Sequence, residues 1–203
     1  AMGEHQVTVG RVTYPMSPLF LVMATQNPIE HEGTYPLPEA QLDRFLMHVR
    51  IDYPLAEYEK QIVHLARNEA QQPRQQRITS TVNTLSQDAL FNARREILDL
   101  YMADNLEEYL LELVLATRQP RRYGDDLARW LQYGASPRAS IALDRCARAH
   151  AWLHERDYVG PEDVQAVAYD VLRHRIILNY EAEAEGITPD KFINALIARI
   201  AVP

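Results

Sequence analysis

Residues Ala24–Phe45 read ATQNPIEHEGTYPLPEAQLDRF. An apolar run, Leu19 to Thr25, leads into this stretch, which turns polar at Asn27-Pro28. A short, continuously apolar run that ends on polar residues predicts a strand covered on both faces, as in a parallel sheet. Pro38 and Glu39 then open a brief helical pattern that closes on Asp43-Arg44-Phe45. The proline stands at the helix start and the carboxylate in the first turn, where each is favoured. Residues 46–53, LMHVRIDY, alternate like a further strand. Strand, polar strand end and helix in this order predict an α/β layer, which binds ligands at the carboxyl ends of its strands.

Upstream, residues 6–17 (QVTVGRVTYPMS) alternate β-branched and polar residues around Gly10-Arg11, which predicts a β-hairpin. Downstream of Pro54 the pattern becomes helical. Ile62, Leu65 and Ala66 give residues 57–70 a helical period, and QQPRQQ (71–76) reads as a loop. Ser86 caps a helix running to about Tyr101, and residues 105–118 form another with a wide apolar face. Ser136-Pro137 opens a long helix over 137–156, while Pro161 and Thr188-Pro189 open two more. Tyr101, Tyr109, Trp130 and Trp152 are expected to pack among these helices. The expected fold is therefore mainly α with a small α/β portion, divided near Tyr53-Pro54 into residues 1–53 and 54–203.

Composition narrows the function. The 203 residues carry a net charge of −7. That argues against a nucleic-acid surface, which needs a basic face. Arg118, Arg121 and Arg122 form the one candidate basic stripe. Cys146 is the only cysteine, so neither an intrachain disulfide nor a cysteine zinc site is available; a reducing, cytoplasmic setting is expected. No apolar run approaches the length of a membrane span, so no membrane insertion is expected. His150 and His154 share a helix face at i, i+4, but Ala151 follows His150, the HExxH pattern is absent and no third ligand is evident; no metal site is assigned.

Asn27 ends its predicted strand where a phosphate would sit in a doubly wound sheet, and an amide can donate to a phosphate oxygen while accepting from water. Yet a P-loop requires Gly-x-x-x-x-Gly-Lys-Ser/Thr. The two lysines follow Glu59 and Asp190, and neither is preceded by glycine. Nor does an apolar strand end in Asp-Glu to bind magnesium. The chain alone is not expected to be a complete nucleoside triphosphatase.

Three blocks carry a resemblance. VMATQNPIEHEGTYPLPEAQLDRF (22–45) is similar to the signature of the MoxR family of AAA+ ATPases. EHQVTVGRVTYPMS (4–17) resembles the hairpin before that family's sensor-1 strand, and YGASPRAS (133–140) its sensor-2 motif. In that family the P-loop and magnesium carboxylates precede an AMxE segment, here Ala1-Met2-Gly3-Glu4. The resemblance implies the C-terminal part of a longer ATPase. Residues 1–53 would hold the end of the nucleotide-binding core, with the hairpin and last parallel strands, and residues 54–203 an all-helical lid.

By the same resemblance Asn27 is sensor 1, Arg44 the arginine finger acting in trans, and Arg138 sensor 2. Asn27 and Arg138 would contact the nucleotide. Each residue has a plainer alternative. Asn27 suits an Asn-Pro turn. Arg44 suits a helix C-terminus, paired with Asp43 or Glu39. Arg138 would be solvent-facing or carboxylate-paired. In a first helical turn, however, an arginine opposes the macrodipole unless an anion is near, which makes this position informative. Sensor 2 acting in cis and in trans both fit the sequence. Glu30, Glu32 and Glu39 read as a solvated acidic loop rather than a general base.

ATP and Mg2+ are then cofactors of the complete protein, with none tightly bound to this chain. The implied partners are copies of itself in a ring, a hexamer, together with protein substrates and von Willebrand A-domain proteins. The implied activity is chaperone-like remodelling or maturation of protein complexes. Two alternatives remain: a non-enzymatic helical interaction module, and a fragment of a helicase-like motor. The incomplete sheet would leave an edge able to pair with another chain.

Overall fold

A computed structural model describes residues 6–26, 37–71 and 84–203. The hairpin forms as expected. Strands β1 (Gln6–Val9) and β2 (Val12–Pro15) pair antiparallel, Val9 opposite Val12. Gly10 makes the turn at φ +63°, a conformation that costs a side-chain-free residue nothing. Helix α1 (Glu39–Leu42) follows Pro38 and is a single turn.

Beyond Pro54, α2 (Ala56–Gln71) buries none of its residues. Helix α3 (Gln87–Asp99) starts where Ser86 Oγ accepts from Ala89 N at 3.1 Å, the cap read from sequence. Helix α4 (Asp104–Ala116) repeats apolar residues at helical spacing and buries Leu106, Tyr109, Leu110, Leu113 and Val114. A 3-10 turn (Pro120–Arg122) and α5 (Asp125–Trp130) follow, then β3 (Leu131–Tyr133). Helix α6 (Pro137–Leu153) packs on α7 (Pro161–Leu172). Strand β4 (Ile177–Leu178) pairs antiparallel with β3. Two helices complete the chain, α8 (Tyr180–Ala184) and α9 (Pro189–Ile197), the latter capped by Thr188.

One hydrophobic core joins α4 to α9. Leu113, Leu127, Leu143, Leu172, Phe192 and Leu196 are fully excluded from water. Each such side chain contributes about 1.5–3 kcal/mol by burial, so the helical portion has a core of its own. Tyr109 joins it, and Trp130 packs at its margin. Tyr101 does not, being 68% exposed. It lies beyond the end of α3, and its carbonyl rather than its ring is engaged, accepting from Val159 N at 2.9 Å.

Two expected strands do not form among the described residues. Residues 20–26 and 46–55 have no regular secondary structure, and Leu21, Met23, Val49, Ile51 and Tyr53 lie more than half exposed. The apolar content for strands is there, but a strand also needs a neighbour for its N–H and C=O groups. Among the described residues β1 and β2 satisfy only each other. Around residues 43–48 the carbonyls are taken by side chains instead.

Candidate functional site

Arg138 is placed by a chain of local constraints. Thr117, wholly buried, donates its hydroxyl to Val114 O at 2.7 Å and accepts from Ala135 N at 2.9 Å. Arg118 Nε donates to Ala135 O at 2.8 Å. Both polar groups flanking the Ala135 Cα are thus tied to the end of α4. Gly134 makes the close approach possible, since a Cβ there would lie 2.2 Å from Thr117 O. Ser136 then caps α6, its Oγ accepting from Arg138 N at 3.2 Å, and Pro137 takes the first helical position. Arg138 falls in the first turn, as the sequence predicted. Arg118 is consequently a strut, and the expected basic stripe loses one of its three members.

An anion does stand at this helix start, and it belongs to the chain itself. The Asp43 carboxylate accepts from Ser136 Oγ at 2.8 and 2.9 Å and from Arg138 Nη1 at 2.9 Å. Arg175 Nε approaches it to 3.3 Å. Burial works to raise the Asp43 pKa, but hydrogen bonds from Arg138 and Ser136 and the charges of Arg175 and Arg138 outweigh it and hold it below its ordinary value.

Arg175 leaves only 2% of its side chain exposed. Its guanidinium donates to the carbonyls of Leu46 (3.2 Å), Asp43 (3.4 Å), Phe45 and Val171. The two residues before it act alike. His174 Nε2 lies 3.2 Å from Phe45 O, and Arg173 Nη1 donates to His48 O, while His48 N returns a bond to Asp170 O at 2.7 Å. Asp190 accepts from Arg173 Nε at 2.9 Å and steadies its guanidinium. Arg173-His174-Arg175 thus hold the backbone of residues 43–48. Desolvation first, then the Arg175 charge, push the His174 pKa down to about 4.

Of the predicted site residues, Arg138 is hydrogen-bonded to Asp43, the residue that precedes Arg44. Arg44 is exposed, and its guanidinium makes no hydrogen bond or ion pair among the described residues; the expected pairing with Asp43 or Glu39 does not form. Asn27, Glu30 and Glu32 lie outside the described residues. For a nucleotide, Arg138 offers a half-exposed guanidinium at a helix N-terminus, suited to a phosphate oxygen that displaces Asp43. The described residues contain no group of three His, Cys, Asp or Glu able to hold a metal ion. The fit of the described residues is to the phosphates.

His150 and His154 have structural partners. His150 Nδ1 lies 2.6 Å from the buried Asp163 carboxylate and His154 Nδ1 2.8 Å from His150 O. Sequence reasoning missed Asp43 as a hub and the Arg173–Arg175 run altogether. The available signal was a cluster of basic side chains at the end of an apolar helix, where the dipole favours cations.

Residues 1–47 match the family described as ATPase family associated with various cellular activities (AAA), and residues 128–196 the AAA lid domain. Core piece and helical lid define an AAA+ protein. The whole chain is 43% identical to Chaperone MoxR1 of Mycobacterium tuberculosis, covering 52% of that protein. It is 40% identical to YeaC of Bacillus subtilis and 34% to Protein MoxR of Paracoccus denitrificans, covering 59% and 61% of them. A solved structure from Cytophaga hutchinsonii superposes with a TM-score of 0.88 at 46% identity, over 98% of this chain and 59% of that one. The chain belongs to the MoxR family of AAA+ ATPases. It spans little more than half the length of these relatives.

Proposed function

We propose that these residues serve a MoxR-type ATPase that couples hydrolysis of Mg2+-bound ATP to chaperone-like remodelling or maturation of protein complexes. The observation that carries this reading is the attachment of Arg138 to Asp43, the residue before Arg44. Arg138 opens α6 against Asp43, and Arg44, the residue after Asp43, stands exposed and unpaired among the described residues. Phosphoryl transfer needs such guanidinia, because charge develops on the transferred oxygens and a planar fork neutralises it. Arg138 is the sensor-2 residue, Asn27 is sensor 1, and Arg44 is the finger offered to the adjacent subunit of a homo-oligomeric ring, a hexamer. Residues 1–53 belong to the core and 54–203 to the lid. The name of the relative Chaperone MoxR1 supports protein substrates; von Willebrand A-domain proteins are the proposed partners.

Two measurements test the reading. In the assembled ATPase, Arg44→Ala abolishes hydrolysis and spares ATP binding; normal turnover would remove Arg44 from the finger role. This chain alone shows no tight ATP binding in titration calorimetry, and micromolar magnesium-dependent affinity would overturn that assignment.

One observation favours a helical interaction module instead. Helix α2 leaves Tyr58, Ile62 and Leu65 at least half exposed. Under that reading the partner-binding activity survives Arg44→Ala and Arg138→Ala unchanged.

A further inference from the structure

We infer that Asp43 and Arg175 are positioning residues for Arg44, clamping the backbone around it to the helical lid so that Arg44 moves with the helix that carries Arg138. The consequence for catalysis rests on the ATPase reading above; the clamp itself does not.

A buried guanidinium is costly unless its donors are satisfied. Arg175 spends its Nη donors mainly on one segment, the carbonyls of Asp43, Phe45 and Leu46, and anchors Nη1 on Val171 at the end of α7, while its buried Nε makes no hydrogen bond among the described residues and faces the Asp43 carboxylate at 3.3 Å. Those carbonyls lie on both sides of Arg44, whose own side chain is left exposed. A second attachment comes from α6. There the Asp43 carboxylate takes hydrogen bonds from both Ser136 and Arg138. The two attachments meet on Asp43, the residue before Arg44. His174 and Arg173 extend the hold to Phe45 and His48. Beyond Met47 at the margin of the core and the exposed Arg50–Asp190 pair, the described residues give the segment little other support, since α1 is one turn long and residues 46–55 pair with no strand among them.

The geometry also makes the clamp responsive. Arg138 is the outermost of the Asp43 partners, 54% exposed against 2% for Arg175. A phosphate that engages Arg138 competes with Asp43 for the same donors. Binding at one arginine then alters the restraint on the other, and by reciprocity the position of Arg44 feeds back on phosphate affinity at Arg138. Arg175 is untouched in this exchange and keeps the segment on the lid.

Hydrogen exchange on the full 203-residue chain tests the clamp without nucleotide. In Asp43→Asn the amides of residues 39–48 exchange at least ~10-fold faster, the weight of losing charge-assisted bonds, while α4 and α9 keep their protection. Arg175→Lys, which keeps the charge but not the fork, loosens the same residues. Unchanged exchange at 39–48 in both variants, or equal acceleration in α4 and α9, overturns the proposal.

In the assembled ATPase, Asp43→Asn lowers kcat without raising KM for ATP, and the double variant with Arg44→Lys, a slowed variant that keeps the charge without the fork, is no slower than Arg44→Lys alone. Multiplying losses would show that Asp43 acts independently of Arg44 and overturn the positioning role. If Arg44→Ala alone hydrolyses at the normal rate, it is the arginine-finger reading that fails, and the clamp is decided by exchange alone.

Discussion

Asp43 and Arg138 are 95 residues apart in sequence and joined by a hydrogen bond of 2.9 Å. The carboxylate is the less exposed partner, and it serves Arg175 and Ser136 as well. Its removal therefore strands a buried charge, whereas removal of Arg138 mostly exposes a carboxylate that keeps other donors. Asp43→Asn should cost about 2–3 kcal/mol in urea denaturation, and Arg138→Ala no more than about 1 kcal/mol. Because the folded-state pKa of Asp43 lies below its unfolded value, its stabilisation is complete above about pH 4 and is lost as pH falls through the folded pKa. Asp43→Asn flattens that acid limb of the melting curve.

Gly134 and Thr117 set the approach to α6. Gly134→Ala would drive a methyl group into a main-chain carbonyl 2.2 Å away, so the backbone must move. The expected loss is about 2–4 kcal/mol, in the range of severe steric substitutions. Thr117→Val leaves Ala135 N without its acceptor and costs about 1–3 kcal/mol. Thermal unfolding of both variants checks the two figures, and a neutral Gly134→Ala would contradict the contact.

His174 predicts a second pH effect with its own window. Nδ1 is buried without a hydrogen-bond partner among the described residues, and protonation would place a charge beside Arg175. The folded pKa is about 4, below the unfolded value near 6.5, so the unfolded chain takes up the proton first. Stability is unaffected above the unfolded pKa and falls as pH drops from there toward 4. The loss is on the order of 1–2 kcal/mol once solvent screening of the ring is allowed for. His174→Gln keeps a donor for Phe45 O and should remove this slope in Tm between pH 7 and 5.

Arg44 separates stability from activity. With a side chain that is exposed and unpaired among the described residues, Arg44→Ala should change the unfolding free energy of the chain by less than about 0.5 kcal/mol. A larger loss would mean that Arg44 has a structural partner, and the proposed loss of hydrolysis would then need another explanation.

Cys146 is buried in the α6 core, and desolvation pushes its pKa up to about 11. The thiolate is the reactive form, so alkylation by iodoacetamide at pH 7.5 should be slow and should track unfolding. Rapid modification of the folded chain would contradict the packing.

Much of the helical portion was legible from local chemistry. Ser86, Ser136 and Thr188 each cap the helix expected of them. Helices α5 and α8 were not read, because six and five residues are too few to show a period. The β3–β4 ribbon is shorter still and is defined by a partner far along the chain. The candidate site was legible in part. Arg44 and Arg138 came from motif resemblance, while Asp43 was seen only as a neighbour for Arg44.

The sequence by itself determined the caps, the hairpin turn at Gly10, the apolar face of α4, and the position of Arg138 in a first turn. These depend on residues three or four places apart, and a chain carries such spacings openly. Only the tertiary structure decided what Asp43 binds, why Gly134 is glycine, and that Arg173-His174-Arg175 hold residues 43–48. It also decided that the apolar runs ending at Thr25 and Tyr53 form no strands among the described residues. Strand pairing and buried charge are settled by partners distant in sequence, and no local period records which partner a carbonyl or carboxylate will meet.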